Sequence, residues 1–241
     1  MKRAGRTETG LREQNEDRYL ILDTNDVHLV AVSDGMGGHR AGEIASATAV
    51  DTLADCLKDG FDEWEGALSA AFTKVNTAVH TLGRSDDAMY GMGCTLVAAL
   101  YDDTRFVAAN IGDSRLYHFD GETVRQITHD HSFVAELVRR GAITPQEAKT
   151  HPRRNLITRA VGTEARVSAD LFPCEWKKGD MLLLCSDGLC GALDEPELAA
   201  YLRNCTDLDA TCATLIGRAL AAGSRDNITV VLVQNDGGDN A

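Results

Sequence analysis

Two apolar runs in this chain end on the same three residues. His28-Leu-Val-Ala-Val leads into Ser33-Asp34-Gly35-Met-Gly-Gly38, and Met181-Leu-Leu-Leu-Cys leads into Ser186-Asp187-Gly188-Leu-Cys-Gly191. A third run, Phe106-Val-Ala-Ala-Asn-Ile, closes on Gly112-Asp113-Ser-Arg115, and Asp226 stands just before a fourth, Ile228–Val233. Asn15-Glu16-Asp17-Arg18 opens the first strand-like segment. One Asp-Gly pair alone reads as a turn. Acidic residues repeated at strand ends beside glycine are instead placed rigidly along an edge. If those edges converge, Glu16, Asp17, Asp34, Asp113, Asp187 and Asp226 share one region. Such a cluster repels itself and shifts its own pKa values unless cations fill it. All-oxygen donors select hard cations, Mg²⁺ or Mn²⁺, over zinc. A two-metal carboxylate site activates water for attack on phosphorus or a carbonyl, so the residues alone point to a metal-dependent hydrolase.

The elements that must position these residues are short strands and a few helices. Strand-like runs cover Tyr19–Leu22, His28–Val32, Thr95–Leu100, Phe106–Ile111, Arg115–Phe119, Met181–Cys185 and Ile228–Val233, each bounded by Asp, Gly or Asn. Two long helices follow the first strands. Ala47, Val50, Ala54 and Leu57 form the apolar stripe of one, and Leu68, Phe72, Val75, Val79 and Leu82 that of the next. A third spans about Leu208 to Ala222 and ends at Gly223. Between Ser132 and Asn155 the pattern changes to short helical pieces, with a capping box at Thr144-Pro-Gln-Glu147 and a basic stretch holding His151, Arg153 and Arg154. That segment reads as an insertion projecting from the strands. Strands and helices do not alternate regularly, which favours an α+β class with a mainly antiparallel sheet framework.

Composition narrows the partners. The 241 residues are 44% hydrophobic and 25% charged, an ordinary globular make-up, with a formal net charge of −13. That charge argues against nucleic acid or an anionic membrane surface as the main partner, and an anionic substrate would need local positive charge. Seven cysteines with no C-x-x-C pair read as reduced thiols. The opening MKRAGRTETGLREQNEDR has no apolar core of a signal peptide, so the expected location is the cytoplasm.

Three other constellations compete. Cys212-Ala-Thr-Leu-Ile-Gly-Arg218 has the C-x₅-R spacing of cysteine-dependent phosphatases, but Cys212 falls on the apolar stripe of a helix and reads as a core thiol. His129-Asp-His131 could begin a zinc site, but no third ligand is evident, and a hydrogen-bonded structural role is the better reading. No G-x-x-x-x-G-K or G-x-S-x-G sequence occurs, so P-loop and serine-hydrolase readings lack their residues.

Taken in order, Arg12-Glu-Gln-Asn-Glu16-Asp17-Arg18, Val32-Ser-Asp34-Gly35-Met-Gly-Gly-His39, Gly93-Cys-Thr95, Ile111-Gly-Asp113-Ser-Arg115, Ser186-Asp187-Gly188 and Ser224-Arg-Asp226-Asn-Ile228 resemble the metal-dependent PPM (PP2C-like) Ser/Thr protein phosphatases of the compact bacterial type. The resemblance runs from about Thr7 to Val233. It implies one domain with an αββα sandwich, two antiparallel sheets flanked by helices, and a flap at about residues 132–155. It also implies two Mn²⁺ or Mg²⁺ ions per chain. By position, Asp34 bridges both metals, Gly35 gives its carbonyl to one, and Asp187 and Asp226 hold the other. Asp113, with Asp187, matches the ligand of a third and weaker metal. Glu16 and Asp17 orient water, and Arg12 matches the phosphate-binding arginine. A metal-bridging water would attack phosphoserine or phosphothreonine directly. Met36 stands where animal members carry a histidine proposed to protonate the leaving group, which leaves His39 as a candidate for that role or for shaping the loop. The glycines after Asp34 are expected to turn a strand end sharply. Phosphoprotein substrates, a Ser/Thr kinase as counterpart and a monomeric state complete the expectation. A non-catalytic phosphoprotein binder and a small-molecule phosphatase or phosphodiesterase with the same centre remain as rivals; intact ligand positions disfavour the first.

Overall fold

The computed structural model describes residues 1–23, 27–37, 41–61 and 63–237. Two antiparallel sheets lie at its middle. The first runs, in spatial order, β1 (Lys2–Glu8), β11 (Ile228–Gln234), β10 (Met181–Cys185), β7 (Arg115–Phe119) and β8 (Val124–Gln126). The second runs β2 (Asp17–Asp23), β3 (His28–Met36), β5 (Leu96–Tyr101), β6 (Arg105–Ile111) and β9 (Asp170–Glu175), with the two-residue β4 (Gly93–Cys94) paired to the far end of β3.

Successive strand residues point to opposite faces, and here both faces of both sheets are covered. Val30, Val32, Val97 and Ala99 of the second sheet meet Leu182, Leu184, Val231 and Val233 of the first across the middle. On the outer face of the second sheet, Leu29, Ala31, Ala98 and Leu100 lie under α1 (Ala41–Leu57) and α2 (Trp64–Gly83). On the outer face of the first, Leu183, Val230 and Leu232 lie under α6 (Glu195–Arg203) and α7 (Leu208–Ala221). The result is the four-layer αββα sandwich. Double coverage explains why β3, β10 and β11 read as unbroken apolar runs rather than alternating ones.

Several elements differ from the sequence expectation. β3 continues through Asp34 to Met36 because β4 pairs with it there. The buried stripe of α1 is Ala45, Ala49, Val50, Leu53 and Leu57, so Ala47 and Ala54 sit off it. That helix is rich in small apolar residues on several sides, and steps of three and four fit more than one stripe. β1, β8, β9 and α6 were not anticipated. α6 carries a full capping box, Asp194 with Glu197, and proline in its first turn.

Between β8 and β9 the chain leaves the sheets and forms α3 (Phe133–Arg139) and α4 (Pro145–Thr150). Ser132 caps α3 through its hydroxyl, and Thr144 and Glu147 close the capping box of α4. The base of this excursion is tied. The Phe133 N–H donates to Leu156 O at 2.8 Å, and the Thr158 N–H donates to His131 O at 2.7 Å.

Candidate active site

The register of β2 on β3 sets Asp17 directly opposite Asp34. Around Asp34 the strand is locked to the start of β5. The Asp34 N–H donates to Thr95 Oγ1 at 2.9 Å, the Thr95 N–H returns a bond to Asp34 O at 2.8 Å, and Ser33 Oγ donates to Thr95 O at 2.6 Å. The Gly35 N–H donates to Glu16 O at 3.2 Å. A Cβ added at Gly35 would stand 2.1 Å from Gly42 O and 2.8 Å from Glu16 O. The strand therefore does not turn at Asp34-Gly35; it ends only at Met36, where Gly37 follows with a φ of 145°. Glycine is needed at 35 because the first turn of α1 crosses against the strand there.

The second Ser-Asp-Gly does turn. β10 ends at Cys185, and Asp187 opens the single-turn helix α5 (Asp187–Cys190). Gly188 meets the same kind of obstacle as Gly35, since its Cβ would stand 2.0 Å from Asn227 O.

Asp17 joins the two sheets. It is fully buried on β2, and its Oδ2 accepts hydrogen bonds from Ser186 Oγ and Thr229 Oγ1 of the other sheet, both at 2.7 Å. Its Oδ1 is buried with no hydrogen-bond partner among the described residues, and the same holds for Asp187 Oδ1. Burial pushes Asp17 up to about 7; the two hydroxyl bonds oppose that, and the charges of Asp187 and Asp226 add to it. Asp113 is likewise pushed up to about 7 by burial and then by Asp187 and Asp130. Asp187 is raised to about 6 by burial and by Asp226, against Arg12. Asp34 lies well above the usual carboxylate range, through burial first and then Asp17, Asp187, Asp113 and Asp226. Burial also raises Glu16, with Arg12 opposing. The structure thus brings the five aspartates into one another's field, with Glu16 beside them.

A buried group of like charges with unpartnered oxygens and no nitrogen or sulfur donor fits hard divalent cations. Among the described residues no three His, Cys, Asp or Glu side chains close around one point as a finished cage. That suits a centre completed by backbone oxygen and water, as hard cations accept. Arg12 sits on the exposed loop after β1, and its Nη2 donates to Asp226 Oδ2 at 2.7 Å. The arginine expected at the phosphate is here paired to an expected metal ligand. His39 lies outside the described residues.

One organising residue was missed. Asn227 is buried, and its Nδ2 donates to Thr9 O at 2.8 Å and Gln14 O at 2.9 Å, while its Oδ1 accepts from the Glu16 N–H at 2.8 Å. It fastens the Arg12 loop and Glu16 to the strand entry that carries Asp226. In the sequence its only signal is a place in an Asp-Asn pair, which reads as a turn.

The competing constellations resolve as structure. His131 is buried, with Nδ1 accepting from the Gly112 N–H at 3.0 Å and Nε2 bonded to Asp170 Oδ2 at 3.1 Å. Burial lowers its pKa. Cys212 lies in α7 with its Sγ 3.8 Å from Ala4 O, and burial pushes its thiol up to about 12, the opposite of a poised nucleophile. All seven cysteines are free. No helix among the described residues is long and apolar enough to cross a membrane.

Known proteins resemble this chain over most of its length. The family model for protein phosphatase 2C matches residues 4–221. A serine/threonine phosphatase, Stp, of Listeria monocytogenes is 40% identical over 238 residues, 96% of this chain and 94% of that protein. The crystal structure of serine/threonine phosphatase Stp1 from Staphylococcus aureus superposes with a TM-score of 0.92 at 37% identity, covering 97% of this chain and 94% of that one. The catalytic domain of the phosphatase PstP, solved in complex with two manganese ions, gives a TM-score of 0.86 at 36% identity, with 97% of each chain covered.

Proposed function

Because the chain belongs to the protein phosphatase 2C family and is a serine/threonine protein phosphatase, we propose that its five converging aspartates form a two-cation centre that hydrolyses phosphoserine and phosphothreonine. The observation that carries this reading is the mutual field of Asp17, Asp34, Asp113, Asp187 and Asp226, with buried Asp17 Oδ1 and Asp187 Oδ1 left without hydrogen-bond partners among the described residues. Asp34 and the Gly35 carbonyl would hold one Mn²⁺ or Mg²⁺, and Asp34, Asp187 and Asp226 the other. Asp113 and Asp187 would hold a third, weaker ion. When bound, the cations supply Lewis acidity that acidifies water and offsets phosphoryl charge.

The chain's own residues do the rest. Asp17, fixed by Ser186 and Thr229 on one oxygen, presents the other to accept a proton from water. Glu16 orients the same water from a backbone held by Asn227. Arg12 leaves Asp226 to bind a phosphoryl oxygen, where its planar fork suits the geometry. Residues 132–155 act as a flap over bound substrate. His39 is the candidate to protonate the leaving alcohol. The substrates are phosphoproteins, made by a Ser/Thr kinase whose action this enzyme reverses. A cytoplasmic location accords with seven free thiols, and we read the enzyme as a monomer.

The test is Mn²⁺-dependent hydrolysis of p-nitrophenyl phosphate and of a phosphothreonine peptide by the wild type, Asp34→Asn and Asp226→Asn. Each variant should lose at least about 10²-fold in kcat, since a metal contributes several kcal/mol at about 1.4 kcal/mol per decade. Unchanged rates in either variant, or activity that survives full chelation, sinks the two-cation reading.

A further inference from the structure

Between α3 and the chain that returns from the excursion lies a recess of about 320 Å³ lined by His131, Glu136, Arg139, Arg140, Thr158 and Arg159. Residues 132–159 carry six basic side chains against two acidic ones, in a chain whose formal net charge is −13. This is the stretch where an anion is drawn in rather than repelled. The three arginines differ in commitment. Arg159 Nη1 is held by Asp170 Oδ1 at 2.6 Å. Arg140 reaches Glu136 Oε2 only at 3.5 Å with most of its side chain exposed. Arg139 has no hydrogen-bond or ion-pair partner among the described residues.

Cations at the C-terminal end of α3 answer the helix dipole, which accounts for a basic residue at 139 or 140. It does not account for Arg159, which comes from the other side of the excursion to the same recess. One hydrogen bond links the recess to the chain beside Asp113. His131, one of its lining residues, accepts from the N–H of Gly112, the residue before Asp113.

We propose that this recess is a second anion subsite, which receives a phosphate or carboxylate of the phosphoprotein substrate a few residues from the phosphoresidue being cleaved. The proposal rests on the phosphatase reading above and names its substrate class: acidic or multiply phosphorylated segments. Guanidinium groups bind both anions through paired N–H donors. A phosphate carries more charge than a carboxylate at neutral pH and gains more from the field.

The experiment uses the full chain loaded with Mn²⁺ and three phosphothreonine peptides: one with neutral flanks, one with Asp and Glu flanks, and one with a second phosphothreonine. Their KM and kcat are measured for the wild type and for the double variant Arg139→Gln, Arg140→Gln, with p-nitrophenyl phosphate as the small substrate. The wild-type KM should be about tenfold lower for the doubly phosphorylated peptide than for the neutral one. The double variant should lose that preference to within about twofold, read as the ratio of KM values within each protein. Both residues are exposed, and surface changes of this kind shift stability by only about 0.5 kcal/mol. A preference for the acidic-flanked peptide as large as for the doubly phosphorylated one assigns the subsite to anions generally, and a preference for the latter alone assigns it to phosphate. Equal KM across the three peptides in the wild type, or a preference intact in the double variant, overturns the subsite. Failure to hydrolyse even p-nitrophenyl phosphate overturns the phosphatase reading instead.

Discussion

Asp17 carries two tasks that pull against each other. Its Oδ2 takes hydroxyl bonds from Ser186 and Thr229, while its Oδ1 is buried with no hydrogen-bond partner among the described residues. Its folded-state value of about 7, against an ordinary 3.8, is set first by burial. The folded protein therefore holds a proton there that the unfolded chain gives up. Stability from this group is full below about pH 4 and falls as pH rises from 4 to 7. Asn at this position keeps an oxygen for the two hydroxyls and removes the charge. With metal chelated, Asp17→Asn should be more stable than the wild type at pH 8, and the gain should shrink toward pH 4.5 in thermal melts. On the Mn²⁺-loaded enzyme the same change should lower kcat by about 10²–10⁴-fold, the range for loss of a general base. A gain over the wild type that is equal at both pH values would remove burial as the cause.

At the scale of elements, the two Ser-Asp-Gly stretches look alike in sequence and differ in conformation. The first stays a strand to Met36, while the second breaks into α5. What they share is a glycine pressed against the carbonyl of another segment, Gly42 for Gly35 and Asn227 for Gly188. Gly35→Ala should cost about 1–3 kcal/mol, as overpacking does, and also weaken Mn²⁺ binding, measured by melting and by titration calorimetry. Melting unchanged from wild type would show that α1 can step aside. The carboxylates and the apolar strands were legible because their types and runs are local properties. Contacts such as Gly35 on Gly42 were not, because the partner lies in another element. β1 was missed since KRAGRTE has little apolar alternation, although it sits at a sheet edge paired to β11. β9 was hidden by Pro173, which an edge strand tolerates. Asn227 was legible as a motif letter only. Its bonds run to Thr9, Gln14 and Glu16, over two hundred residues away in the chain.

For the whole molecule, the acidic residues come from both sheets. Asp17 and Asp34 stand on the second, while Asp187 and Asp226 flank β10 and β11 of the first. Divalent cation binding to the folded form alone raises stability by about 2.7 kcal/mol at one hundred times Kd, or roughly 5–10 °C for a domain of this length. Added Mn²⁺ should raise Tm by that order, and by more at pH 8 than at pH 6, because protons compete for the carboxyls whose pKa values reach about 6 and 7. A shift independent of pH would separate the stabilising metal from these carboxyls. The central layer of Val32, Leu184 and Val231 thereby acquires a second duty. It keeps two plates in alignment, and the ion-binding groups read that alignment like marks on a vernier. Slippage too small to unfold the sandwich would still pull the marks apart, so a loosened interior would be felt as a weaker grip on metal well before it was felt as a loss of fold.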